Sequence, residues 1–134
     1  MKAQVNWRPS EKGLAFEGIM DDGKTLKLDG NNEDLSPMQA VLISVGACSS
    51  VDVVEILRKA RQGIETCVCE LEAQRAETAP RVFTKLHAHY KVSGSNIKEK
   101  HLERAVALSC EKYCSVMLML TGKVDITTSF EILN

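Results

Sequence analysis

An α+β domain is the fold class this sequence predicts, on three observations: short alternating segments between turn residues at the start, one long apolar run in the middle, and further alternating and amphipathic segments after it. The first part holds Ala3–Trp7, Leu14–Ile19 and Thr25–Leu28, separated by Arg8–Gly13 and Asp21–Gly23. Period-two patterning broken by Gly, Pro and Asp predicts a three-stranded meander. After a polar loop over 31–35, Ser36-Pro37-Met38-Gln39 combines a serine cap, a proline at the first helical position and a glutamine where a capping box requires it. A long central helix starts there. It runs to about Gln62, with Lys59 and Arg61 in its last turn and Gly63 as the terminating residue.

The first half of that helix, Ala40–Ala47, is apolar on nearly every side except at Ser44, which demands burial all round. A rod of about 40 Å is wider than a small domain. Two such helices packed back to back in a homodimer meet the demand more easily. Beyond it, Thr66–Arg75 and Arg81–Ser93 predict a hairpin of long strands. Lys98–Ser109 predicts an amphipathic helix with Leu102, Ala105, Val106 and Leu108 inward. Cys114–Leu120 predicts a second helical piece ended by Gly122, and Val124–Leu133 a final strand. With no repeats or linkers, 134 residues suit a single domain, 1–134.

Charge narrows the function. Lys and Arg total 17 against 18 Asp and Glu, so no field gathers nucleic acid or an acidic membrane surface. No segment is expected to reach the roughly 18 apolar residues that span a bilayer, and Met1–Arg8 lacks the apolar stretch of a signal peptide. A cytoplasmic protein is expected. Five cysteines, Cys48, Cys67, Cys69, Cys110 and Cys114, are an odd number in a compartment that keeps thiols reduced. Any disulfide is then transient and catalytic.

Cys67-Val68-Cys69 and His87-Ala88-His89 carry zinc-type ligands on the two strands of one hairpin. The patterning argues against a shared site. Cys67, Cys69, Leu71 and Ala73 form the apolar face of the first strand, whereas Val82, Leu86, Ala88, Tyr90 and Val92 form that of the second. Cross-strand partners share a face, so cysteines point to the core and histidines to solvent, and no metal or cofactor is expected. Cys110 and Cys114 are four apart, with side chains poorly aimed for a bridge, so Cys110 reads as packing. Cys114 falls where one helix stops and another starts, and free N–H groups there lower a thiol's pKa. Cys48 lies mid-helix in the most apolar segment, which raises a thiol's pKa, and Asp52 one turn later opposes the thiolate further. Ser44, Ser49 and Ser50 offer hydrogen bonds. Activation of Cys48 needs a cation brought by the fold or by a second subunit, with Arg8, Lys12 and Lys112 as candidates.

The string Ser36–Val54, with Pro80-Arg81-Val82-Phe83-Thr84 and Glu111-Lys112-Tyr113-Cys114-Ser115-Val116, resembles the osmotically inducible protein C and organic hydroperoxide resistance (OsmC/Ohr) family over nearly the whole chain. The resemblance implies an OsmC-like fold and an intertwined homodimer. It also implies thiol-dependent reduction of organic hydroperoxides in oxidative stress defence: by position, Cys48 attacks the peroxide and Cys114 resolves the sulfenate, with an external dithiol as reductant. An apolar pocket at the dimer seam would favour organic peroxides. In the family's peroxidases a glutamate ten residues before the attacking cysteine pairs with an arginine from the N-terminal strands; here Met38 stands at that place. The alternative on the same fold is a non-enzymatic dimer that binds a small apolar ligand or senses redox state.

Overall fold

The computed structural model describes residues 1–9 and 12–134, so Ser10 and Glu11 of the predicted first turn lie outside the described residues. The chain divides into two compact units, Met1–Val41 and Leu42–Asn134.

In the first unit β1 (Ala3–Arg8), β2 (Ala15–Met20) and β3 (Thr25–Asp29) form the antiparallel meander the alternation predicts, in the order β1-β2-β3. The register sets Val5 against Gly18 and Trp7 against Phe16, and those two against Leu26 and Leu28. One face of the sheet is thus apolar, yet Val5 is 64% exposed and Trp7 58%.

The helix α1 (Pro37–Lys59) opens on the predicted capping box: Gln39 N–H donates to Ser36 Oγ at 3.2 Å, and Ser36 N–H donates back to Gln39 Oε1 at 2.9 Å. Its end differs from expectation. The helix stops at Lys59, and Arg61, not Gly63, takes the left-handed conformation, at φ 57°. Gln62 N–H reaches Leu57 O and Arg61 N–H reaches Arg58 O, both at 2.9 Å, which closes the last turn as a Schellman motif. A left-handed L-residue costs roughly 1–2 kcal/mol that glycine largely avoids, against glycine's larger loss of chain entropy. Arg61→Gly is therefore expected to raise stability by about 0.5–1 kcal/mol, read as a higher urea midpoint at unchanged m-value.

The second unit is a sheet of β4 (Gly63–Arg75), β5 (Phe83–Ser95) and β6 (Asp125–Leu133), in that order, with β4–β5 antiparallel and β5–β6 parallel. Parallel neighbours need a crossover. Here α2 (Glu99–Leu108), one π turn over Ser109–Tyr113 and α3 (Ser115–Leu120) supply it. Val45, Val53 and Leu57 of α1, Leu86, Ala88, Tyr90 and Val92 of β5, and Leu102, Ala105 and Val106 of α2 are buried as the core. Gly46 lets α1 approach β4 closely: a Cβ there would stand 2.6 Å from Leu71 Cδ1.

Within one chain α1 is not buried on every side, since Ile43 is 53% and Val51 58% exposed, which is what a helix too apolar for one small domain to surround should show. Three expectations are corrected. Leu108 is only half-buried, and Ser109 takes the inward place, because the π turn begins there and shifts the face. Val82 is exposed and Phe83 is buried, since the register slips between Gln74 and Arg75 and moves the inward position by one. Finally, α1 is by length and composition apolar enough to cross a membrane, with a mean hydropathy of 1.9 over its most apolar window. Within the chain it is buried at Val45, Gly46, Ser49, Val53 and Leu57.

Candidate thiol site

Cys48 sits half-buried in the middle of α1, and Cys114 caps α3. The route of the chain to Cys114 is unusual. In the π turn Cys114 N–H bonds back to Ser109 O at 2.7 Å, five residues earlier, and the backbone then leaves the helical region at Cys114, φ −71° and ψ 105°. This break faces the thiol toward α3, where Cys114 Sγ accepts from Met117 N–H at 3.4 Å. The fold brings the two cysteines near each other, close enough for Cys48 to act on the Cys114 thiol, and all five cysteines are free thiols.

The helix-end argument for an acidic Cys114 meets a larger opposing effect. Burial pushes the Cys114 thiol up to about 11, and the neighbouring Cys48 thiol adds to the rise, while the Met117 and Val116 N–H groups oppose it. Cys114 is 0% exposed, and α3 is only six residues long, so desolvation outweighs the few free N–H groups. None of the groups acting most strongly on this thiol is a cation.

The predicted activators have other partners. Arg8 pairs with Glu17 at 2.7 Å within the meander, Lys12 with Glu33 at 3.6 Å, and the Lys112 ammonium lies 5.5 Å from the Tyr113 ring centroid. Met38 occupies the first turn of α1, so the carboxylate beside Arg8 comes from β2 instead. Asp52 is held by Ser109, whose Oγ lies 3.0 Å from both Asp52 Oδ2 and Ser49 O. Ser49 Oγ donates to Val45 O at 2.8 Å and accepts from the buried Tyr90 hydroxyl at 2.7 Å. Of the serines expected to serve Cys48, Ser49 is thus committed to the core, and Ser50 lies near enough to Cys67 and Cys69 to oppose the rise of their pKa values.

The remaining thiols read as packing. Burial raises Cys67 and Cys110 and pushes Cys69 up to about 11. Cys67 faces Val92 and Cys69 faces Tyr90 across the hairpin, while Glu72 faces His87 and Glu70 faces His89. Cysteines and histidines therefore occupy opposite faces, as the patterning predicts. The raised thiols carry a stability consequence. From about pH 9 the unfolded chain releases protons that native Cys114 and Cys69 hold until about pH 11, so native stability falls as pH rises through that window. The urea midpoint should drop between pH 8 and 10.5, and Cys114→Ala should show a shallower drop.

What sequence reasoning missed is the π turn and the Ser109–Asp52 contact it creates. A serine on the predicted inward face of Lys98–Ser109 was the available signal.

Residues 30–129 match the family of OsmC-like proteins. The chain belongs to that family. Among curated relatives, this OsmC-like chain is 46% identical to protein YhfA of Escherichia coli K12 over 134 residues, 98% of each chain. Among solved structures, a hypothetical protein from Aquifex aeolicus VF5 superposes with a TM-score of 0.86 at 32% identity, covering 99% of this chain and 97% of that one. The organic hydroperoxide resistance protein OhrB of Bacillus subtilis shares the fold with a TM-score of 0.63 at 17% identity, with 98% of each chain covered.

Proposed function

We propose that this OsmC-like protein reduces organic hydroperoxides through its thiols, with Cys48 as nucleophile and Cys114 as resolving residue. The observation that carries the reading is the proximity of two thiols far apart in sequence, Cys48 acting directly on Cys114. The Cys48 thiolate attacks the outer peroxide oxygen and breaks the O–O bond; the departing alkoxide takes up the proton that Cys48 gave up on ionising and leaves as the alcohol, with Cys48 left as the sulfenic acid. Cys114 sulfur then attacks Cys48 sulfur, and the Cys114 proton leaves with the sulfenic hydroxyl as water. An external dithiol reduces the disulfide and is itself oxidised. In this scheme Cys114 begins protonated, which its raised pKa suits, since its proton is consumed in forming water.

A homodimer belongs to the proposal. The apolar face of the meander at Val5, Trp7 and Leu26, and the α1 stripe at Ile43 and Val51, are exposed in one chain and would be covered by a second. That seam would supply the apolar surroundings an organic peroxide requires, and the reducing cytoplasm would supply the dithiol. A second reading, a redox sensor or apolar-ligand binder without turnover, draws support from the uncharged surroundings of Cys114. Consumption of cumene hydroperoxide by reduced protein with a dithiol donor separates them. Catalytic turnover is expected; stoichiometric consumption that stops at the disulfide would favour the sensor, and none at all would overturn both thiol readings.

A further inference from the structure

The solvent face of the β4-β5-β6 sheet carries a second polar constellation that the thiol chemistry leaves unused. His87 and His89 lie two apart on β5, and so share a face, beside Thr127, Ser129 and Glu131 of the parallel strand β6. His87 Nε2 and His89 Nδ1 both converge on Ser129 Oγ, at 2.8 and 2.6 Å. The outer nitrogens are tied down as well: His87 Nδ1 lies 2.6 Å from Thr127 Oγ1, and His89 Nε2 lies 3.0 Å from Glu131 Oε1.

We infer that His87 and His89 form a two-imidazole site for a divalent transition metal of the nickel and copper class. Two ring nitrogens that already point at one atom need only close on an ion at about 2.0–2.1 Å, the usual metal–imidazole length, as the Ser129 side chain rotates aside or joins as a ligand. The Glu131 carboxylate accepts from Nε2–H of His89, so His89 Nδ1 accepts from the Ser129 hydroxyl and carries the lone pair a metal needs. Ser129 has one proton to give, so His87 Nε2–H donates to Ser129 Oγ and His87 Nδ1 accepts from the Thr127 hydroxyl. Metal binding therefore requires His87 to move its proton to Nδ1, where Thr127 Oγ1 can accept it, which frees Nε2 to ligate. A carboxylate behind a ligating histidine is the recurring outer shell of metal sites.

Among the described residues no three His, Cys, Asp or Glu side chains group to hold a metal, so water or Ser129 completes the coordination. Such sparse nitrogen and oxygen ligation favours the upper end of the divalent affinity series and tetragonal geometry over tetrahedral zinc. Among the other charges on this face, Lys91 pairs with Glu70 and also interacts with Glu131, its partner in the β5–β6 register, so His89 shares that carboxylate. Glu72 stands opposite His87 on β4.

The test is NMR of the untagged, reduced full chain titrated with Ni2+, which is redox-silent toward the thiols. The three histidines provide an internal control. Substoichiometric Ni2+ should broaden the ring signals of His87 and His89 while those of His101 stay sharp. His87→Ala and His89→Ala should each weaken Ni2+ binding at least tenfold. Glu131→Gln, which keeps both imidazoles, should weaken it about 10–100-fold. Cys48→Ser should leave it unchanged, which separates this site from the thiol reading. Equal broadening of all three histidines, no broadening at all, or unchanged affinity in the histidine variants would overturn the inference.

Discussion

Replacing Cys48 by serine is expected to abolish hydroperoxide turnover, with a loss on the order of 10³-fold or more, whereas replacing Cys114 by serine should stop the cycle one step later. The two losses differ in kind. A hydroxyl in place of the Cys48 thiol offers no thiolate to attack the O–O bond, so neither sulfenate nor disulfide forms. Cys114→Ser keeps the attacking sulfur and removes the neighbouring thiol. One equivalent of cumene hydroperoxide should then leave a Cys48 sulfenic acid, trapped by dimedone and located by peptide mapping. Wild type treated identically should yield a Cys48–Cys114 disulfide. A wild-type protein whose peroxide-dependent disulfide joins any other pair, or whose turnover survives Cys48→Ser, would exclude the proposed roles.

The largest stability effect is expected at Gly94→Ala. Gly94 sits near the end of β5 at φ +155°, paired with Ile64, where the register slips between Ile64 and Thr66. A Cβ there would lie 2.0 Å from Gly63 O and 2.9 Å from Gly63 C and Ile64 Cα. These are backbone atoms, so no side-chain rotation relieves the overlap. The substitution combines a backbone conformation that L-residues rarely adopt with a clash that moves two strands apart, and should cost on the order of 3 kcal/mol or more. Chemical denaturation measures it. A loss below about 1 kcal/mol would mean that β4 and β5 can separate at this point at little cost.

Much of this arrangement was legible in the sequence, and the failures share a cause. Local rules found the meander, the Ser36–Gln39 capping box and the opposite faces of Cys69 and His89, because each depends on residues close in sequence or on strict alternation. They failed where the chain is shifted by one or two residues: Arg61 in place of Gly63 at the end of α1, Phe83 in place of Val82 at the bulge, and Ser109 in place of Leu108 at the π turn. Periodicity carries no signal for so small a shift. The thiol pair was implied by resemblance alone, since nothing in the spacing of Cys48 and Cys114 brings them together. The His87–Ser129–His89–Glu131 chain needed the parallel register of β5 and β6, which alternation does not reveal.

The parallel pairing of β5 and β6 also orders events during synthesis. Cys48 and Cys114 both lie N-terminal to β6, yet the crossover that carries Cys114 is closed only when β6 docks beside β5. Such pairing is of long range and slow to form. A growing chain therefore carries both sulfurs before the strand that completes their sheet has been made, and any arrangement that depends on the closed crossover has to wait for β6.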